Sequence, residues 1–136
     1  MAHASGESRT IRRIEVTEIS EDATLVVALS ERQDGTGRTL LFQRGLTFDE
    51  QDEALGLDTY CLSDEEGAVF YGGVASCVLA QGTLTLQLTP EAATTLAMGR
   101  SCHLDLHVDP SALVQLREGL RRILTGGHAA PATLLL

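Results

Sequence analysis

Residues 83–89 read TLTLQLT, and the alternation is strict: Leu84, Leu86 and Leu88 face one way, Thr83, Thr85, Gln87 and Thr89 the other. Successive side chains take opposite sides only in an extended strand, so one face of this segment packs and the other meets solvent. Half-buried strands of this kind belong to antiparallel sheets, because strands of parallel sheets are covered on both faces and read as continuous apolar runs. The pattern returns in SCHLDLHV, residues 101–108, with Cys102, Leu104, Leu106 and Val108 set against His103, Asp105 and His107.

The remaining segments agree with a sheet built from hairpins. Residues 10–19 are rich in β-branched side chains and read as one strand. TLVVALSER (24–32) and RTLLFQRGL (38–46) flank QDGTG, whose Asp-Gly pair is a strong hairpin signal. DTYCLSD (58–64), AVFYGG (68–73) and VASCVLA (74–80) complete the strands, with Gly72-Gly73 marking a bulge or bend. Thr89 and Pro90 suit the N-cap and first position of a short helix near 90–98, stopped at Gly99. Asp109-Pro110 starts a C-terminal amphipathic helix, 110–125, whose stripe is Leu113, Leu116, Leu120, Ile123 and Leu124. The expected class is α+β, a mostly antiparallel sheet of about six to eight strands with two helices. The expected organisation is a disordered N-terminal tail over 1–9, a single domain over 10–126, and a C-terminal tail over 127–136. That last tail is either loose or folds back through its leucines.

Composition narrows the function. At 136 residues and 43% hydrophobic, the chain has one domain's worth of core, and with 4% aromatics and no Trp that core is aliphatic. A net charge of -9 argues against non-specific nucleic-acid binding and against anionic membranes, both of which reward cations. No apolar run is long enough to span a bilayer, and Met1 to Arg9 lacks the apolar core of a leader. Cys61, Cys77 and Cys102 form no C-x-x-C pair and are expected as reduced thiols in a cytoplasmic protein.

Two clusters invite a chemical reading. His103, Asp105 and His107 share one face of a strand, where imidazole and carboxylate could hold a divalent metal; a fourth ligand is missing from the pattern, and an exposed strand face explains the same residues. DEQDE (49–53) lacks the EF-hand spacing, and its carboxylates also suit the N-terminus of a short solvated helix. Neither a phosphate-binding glycine loop nor a nucleophilic triad is visible, so no cofactor and no enzymatic activity is expected.

LLFQRGLTFDEQDEALGLDTYCL (40–62), YGGV (71–74) and LTLQLTPEAATTL (84–96) together resemble the Immunity protein 10 family, small bacterial proteins of polymorphic toxin systems. The resemblance spans roughly residues 10–125. It implies an antitoxin-like protein that binds a cognate toxin domain in the producing cell and performs no catalysis. The positions matching the motif that could contact the partner are Asp49, Glu50, Gln51, Asp52, Asp58, Tyr60 and Tyr71, with Gly72 and Gly73 read as backbone geometry. For both tyrosines, packing on the sheet with the hydroxyl at the surface is an equal alternative. Two other functions stand beside this one: a small-ligand or metal-binding domain centred on His103, Asp105 and His107, and a self-associating module that forms a homodimer through a sheet edge or the apolar tail.

Overall fold

The computed structural model describes residues 6–19, 24–45, 59–125, 131 and 133–136. Among them are ten strands and two helices, in the order β1 (Gly6–Ile11), β2 (Arg13–Ile19), β3 (Thr24–Ser30), β4 (Thr39–Gly45), β5 (Cys61–Asp64), β6 (Val69–Tyr71), β7 (Val74–Ala80), β8 (Thr83–Leu88), α1 (Pro90–Thr95), β9 (Ser101–Leu106), α2 (Pro110–Leu124) and β10 (Thr133–Leu135). The strands form two five-stranded sheets, β1-β9-β8-β7-β10 and β2-β3-β4-β5-β6. The second sheet is antiparallel throughout. The first is mixed: its central pairs β7–β8 and β8–β9 are antiparallel, while β1 runs parallel to β9 and β10 parallel to β7 at its edges. The class is α+β, as the hairpin pattern requires.

The alternating strands behave as their sequence dictates. In β8 and β9, Leu84 lies opposite Leu104 and Leu86 opposite Cys102, and all four are completely buried. Each buried leucine contributes about 1.5–3 kcal/mol relative to an exposed one. In the second sheet one row of partners runs Val16, Val27, Phe42, Leu62 and Phe70 across all five strands. Helix α2 lies on that inner face, across β2, β3 and β4, with Leu116, Leu120, Ile123 and Leu124 fully buried. Its Asp109 cap accepts a hydrogen bond from the Ala112 amide at 2.9 Å, and Arg44 of β4 donates to the Arg122 carbonyl at 2.8 Å near its other end. One apolar core takes in the inner faces of both sheets and both helices. Among the described residues no helix is long and apolar enough to cross a membrane.

Three elements differ from the sequence reading. Residues 10–19 are two strands in different sheets, not one. The switch is written in the phase of the apolar positions: Ile11 is buried in one sheet, then Ile14 and Val16 face the core of the other. Second, the N-terminal segment contributes a strand, with β1 beginning at Gly6, while of the two alternatives for the C-terminal segment the fold-back holds, its leucines forming β10 against Ser76–Val78. Third, α1 stops at Thr95. Ala97 adopts φ 50°, and the Met98 amide reaches back to the Ala93 carbonyl at 3.0 Å, closing the helix before Gly99.

Glu7 joins the first sheet to its neighbours. It and Arg9 project to the same side of β1, and Arg9 is 7% exposed. The Glu7 carboxylate accepts from Arg9 Nε at 2.6 Å, Arg38 Nη2 at 3.2 Å and the Gly99 amide at 2.8 Å, and so ties β1 to the β3–β4 hairpin and to the turn after α1. Burial pushes its pKa up, but the Gly99 amide and the two guanidiniums outweigh that, so the folded value lies below the usual 4.5.

Because the folded value is the lower one, this stabilisation is complete above the unfolded pKa and is lost as pH falls through the folded one. Thermal unfolding followed from pH 7 down to pH 3 should therefore show a smaller acid-induced drop in Tm for Glu7→Gln than for wild type. Gly119→Ala tests the seat of α2. Alanine ordinarily favours a helix over glycine by about 1 kcal/mol, but here its Cβ would sit 2.8 Å from Val27 Cγ2 and 3.3 Å from Val16 Cγ1. The clash should win and destabilise the protein by about 1–3 kcal/mol in denaturant titration.

Candidate partner-binding surface

The two tyrosines of the family-like motif have opposite fates. Tyr60 is 1% exposed, and its hydroxyl accepts from the Val74 amide at 2.9 Å while its carbonyl accepts from the Gly72 amide at 2.9 Å. Burial pushes the Tyr60 phenol up to about 12. Gly72 and Gly73, both at positive φ, carry the chain from the second sheet to the first. At Gly73 a side chain would meet Ala92 Cβ at 2.7 Å and Phe70 at 2.9 Å, so only glycine fits. The TyrGlyGlyVal stretch and Tyr60 thus form an internal clasp, and Tyr60 has no surface to offer a partner.

Tyr71 is 50% exposed. It lies on the outer face of the second sheet, away from α2, where the register sets Thr17, Val26, Gln43, Cys61 and Tyr71 side by side. The adjoining row is Glu15, Ala28, Leu41, Ser63 and Val69, with Val69 47% exposed. Val26, Ala28 and Leu41 are half-buried there. The sequence reading did not single out these residues, though a signal exists: β3 and β4 are apolar at both parities, with Leu25, Val27, Leu29, Leu40 and Phe42 inside and Val26, Ala28 and Leu41 outside.

Asp49, Glu50, Gln51, Asp52 and Asp58 lie outside the described residues. Their segment joins β4 to β5, which are paired neighbours through Gln43 and Cys61.

His103, Asp105 and His107 are on the exposed side of β9 and its continuation, and Asp105 accepts from the Thr83 hydroxyl at 3.2 Å. Among the described residues no three His, Cys, Asp or Glu side chains are grouped to hold a metal ion. Among the described residues, one open cleft is lined by Arg12, Arg13, Ile14, Gln33, Val108, Asp109 and Ala112 and another by Pro90, Glu91, Thr94 and Thr95; neither of these includes the histidine strand. Cys77 and Cys102 are buried, which raises their thiols to about 12 and about 11 and keeps them protonated at neutral pH.

Fold and surface together define a small α+β fold of two sheets around one core, with half-exposed Val69 and Tyr71 on the outer face of one of them. The sequence model of the Immunity protein 10 family matches residues 10–114, and the chain belongs to that family. Membership in an immunity protein family implies a role in neutralising a toxin, performed typically by binding and not by catalysis. Among curated proteins, none matches the chain at a significant level.

Tyr60→Phe isolates the clasp. The substitution keeps the ring but leaves the buried Val74 amide without its acceptor, and should cost about 1–3 kcal/mol in equilibrium unfolding. A loss below 0.5 kcal/mol, on the order of a surface change, would show that the clasp does not hold the crossing.

Proposed function

We propose that this protein neutralises a cognate toxin domain by non-covalent association in the cytoplasm of the producing cell, without a reaction of its own. The observation that carries the reading is the family match across residues 10–114. The charge balance supports it: a protein of net charge -9 associates fast with a basic partner and disfavours rebinding to acidic ones. The acidic segment with Asp49, Glu50, Gln51, Asp52 and Asp58, and the half-exposed Tyr71, are proposed as partner contacts. Tyrosine is enriched at the cores of protein interfaces, and charge around them steers the approach.

The test is co-expression with the product of the adjacent gene as the candidate toxin, together with a pull-down. Wild type should restore growth and retain the toxin. Asp49→Lys with Asp52→Lys changes the charge by two at each position, from -9 to -5. That variant should associate about 10-fold more slowly at low ionic strength, with the difference shrinking as salt is added. A neighbouring toxin that neither binds wild type nor is relieved by it would overturn the proposal.

A further inference from the structure

The outer face of β2–β6 has the composition of a surface that is covered in use. The interior strands β3 and β4 carry apolar residues on both sides, with Val26, Ala28 and Leu41 on the outer side among Thr24, Ser30, Thr39 and Gln43. Helix α2 and the core cover one side. The other carries Val26, Ala28 and Leu41 half-buried, with Val69 and Tyr71 about half exposed beside them. Its charged members are Arg13 and Glu15 on β2, which pair with each other at 3.2 Å. The outer face of the other sheet is different: its rows are Thr133, Ser76, Gln87 and Ser101, then Leu135, Val78, Thr85, His103 and Ser8, then Ala80, Thr83, Asp105 and Thr10. Hydroxyls dominate there and need no cover.

Charge identifies the occupant. Around the two rows the exposed charges are Glu15 on β2, paired with Arg13, then Glu65 and Glu66 in the turn between β5 and β6, and Asp34 beside Arg32 and Arg38 in the β3–β4 hairpin, within a chain of net charge -9. A second copy of the chain would bring the same net charge of -9 against this one. A basic protein with an apolar patch would match both the charge of the chain and the apolar part of this face.

We propose that the outer face of β2–β6, centred on Val26, Leu41, Val69 and Tyr71, is the docking surface for a basic toxin domain. This rests on the immunity reading above and adds to it the face that is used. Tyr71 and Val69 are the anchors at one side, and Val26, Ala28 and Leu41 of the central strands supply the apolar part of an otherwise uncharged floor. Burial of such a cluster behind a polar rim is where interface energy concentrates.

The experiment measures binding of the neighbour-encoded toxin, in a catalytically disabled form, to four purified proteins: wild type, Val69→Arg, Tyr71→Ala and Leu135→Arg. Leu135 is 60% exposed on the outer side of β10 in the other sheet, so it controls for adding an arginine to an exposed apolar site. Circular dichroism and Tm establish that each variant is folded. Val69→Arg should weaken binding about 100-fold and Tyr71→Ala about 10-fold or more, while Leu135→Arg binds as wild type does. Wild-type binding with equal affinity for Val69→Arg and Tyr71→Ala would overturn the docking face and leave the immunity reading standing. Failure of wild type to bind would overturn both. Sedimentation of wild type and Val69→Arg alone covers the rival occupant: a wild-type dimer that Val69→Arg dissociates, with toxin affinity unchanged, would assign the face to self-association and overturn the proposal.

Discussion

Two sheets can share one core only if the chain passes between them without stranding a buried backbone group, because each such group costs about 1–3 kcal/mol when left unpaired. Both described crossings solve this in the same way, by bonding to each sheet from adjacent residues. At the first, the Ile11 carbonyl accepts from the His107 amide at 2.8 Å, and the Arg12 amide donates to the Ser30 carbonyl at 3.0 Å. At the second, the Gly72 amide donates to the Tyr60 carbonyl, and the Gly73 carbonyl accepts from the Thr89 amide at 2.9 Å. The Tyr60 hydroxyl then receives the Val74 amide. The inner faces, the seat of α2 and the position of the outer faces all depend on these two joints.

This arrangement explains why a stretch that stands out as family-like divides into two kinds of residue. Tyr60, Gly72 and Gly73 are constrained by the crossing: one by burial, two by positive φ and, at Gly73, by close contact with α1. Tyr71 sits between them in sequence yet points out, because side chains alternate along β6. The clasp fixes the edge strand that carries Tyr71 and Val69, so the internal geometry sets the outline of the surface. A rigid edge suits a binding surface, since little side-chain and backbone freedom remains to be lost on association.

Much of the fold was legible because local rules and tertiary packing agree. The leucines of β8 and β9, the Asp-Gly hairpin, the two N-caps and the stripe of α2 all appear where their spacing places them. What was not legible depends on distant partners. The division of residues 10–19 between two sheets shows only as a phase change between Ile11 and Ile14. The strand character of Gly6–Arg9 comes from pairing with β9, and that of Thr133–Leu135 from pairing with β7. For the site, sequence pointed to the second sheet through Tyr71 but read motif residues as contacts without knowing which side they face. The outer apolar row was hidden because Val26, Ala28 and Leu41 alternate with stronger core residues and look like part of the same run.

The central claim is that the protein acts by presenting the outer face of its antiparallel sheet to a toxin domain, and methyl-resolved nuclear magnetic resonance tests it most directly. Methyl-labelled protein would be titrated with the disabled neighbour-encoded toxin, and shifts followed at Val26, Leu41 and Val69, with Val114 on α2 and Leu135 on β10 as distant exposed references. The expected result is large perturbation of Val26, Leu41 and Val69 with little change at Val114 and Leu135. Perturbation centred on Val114 or Leu135 with the first three unmoved would contradict it.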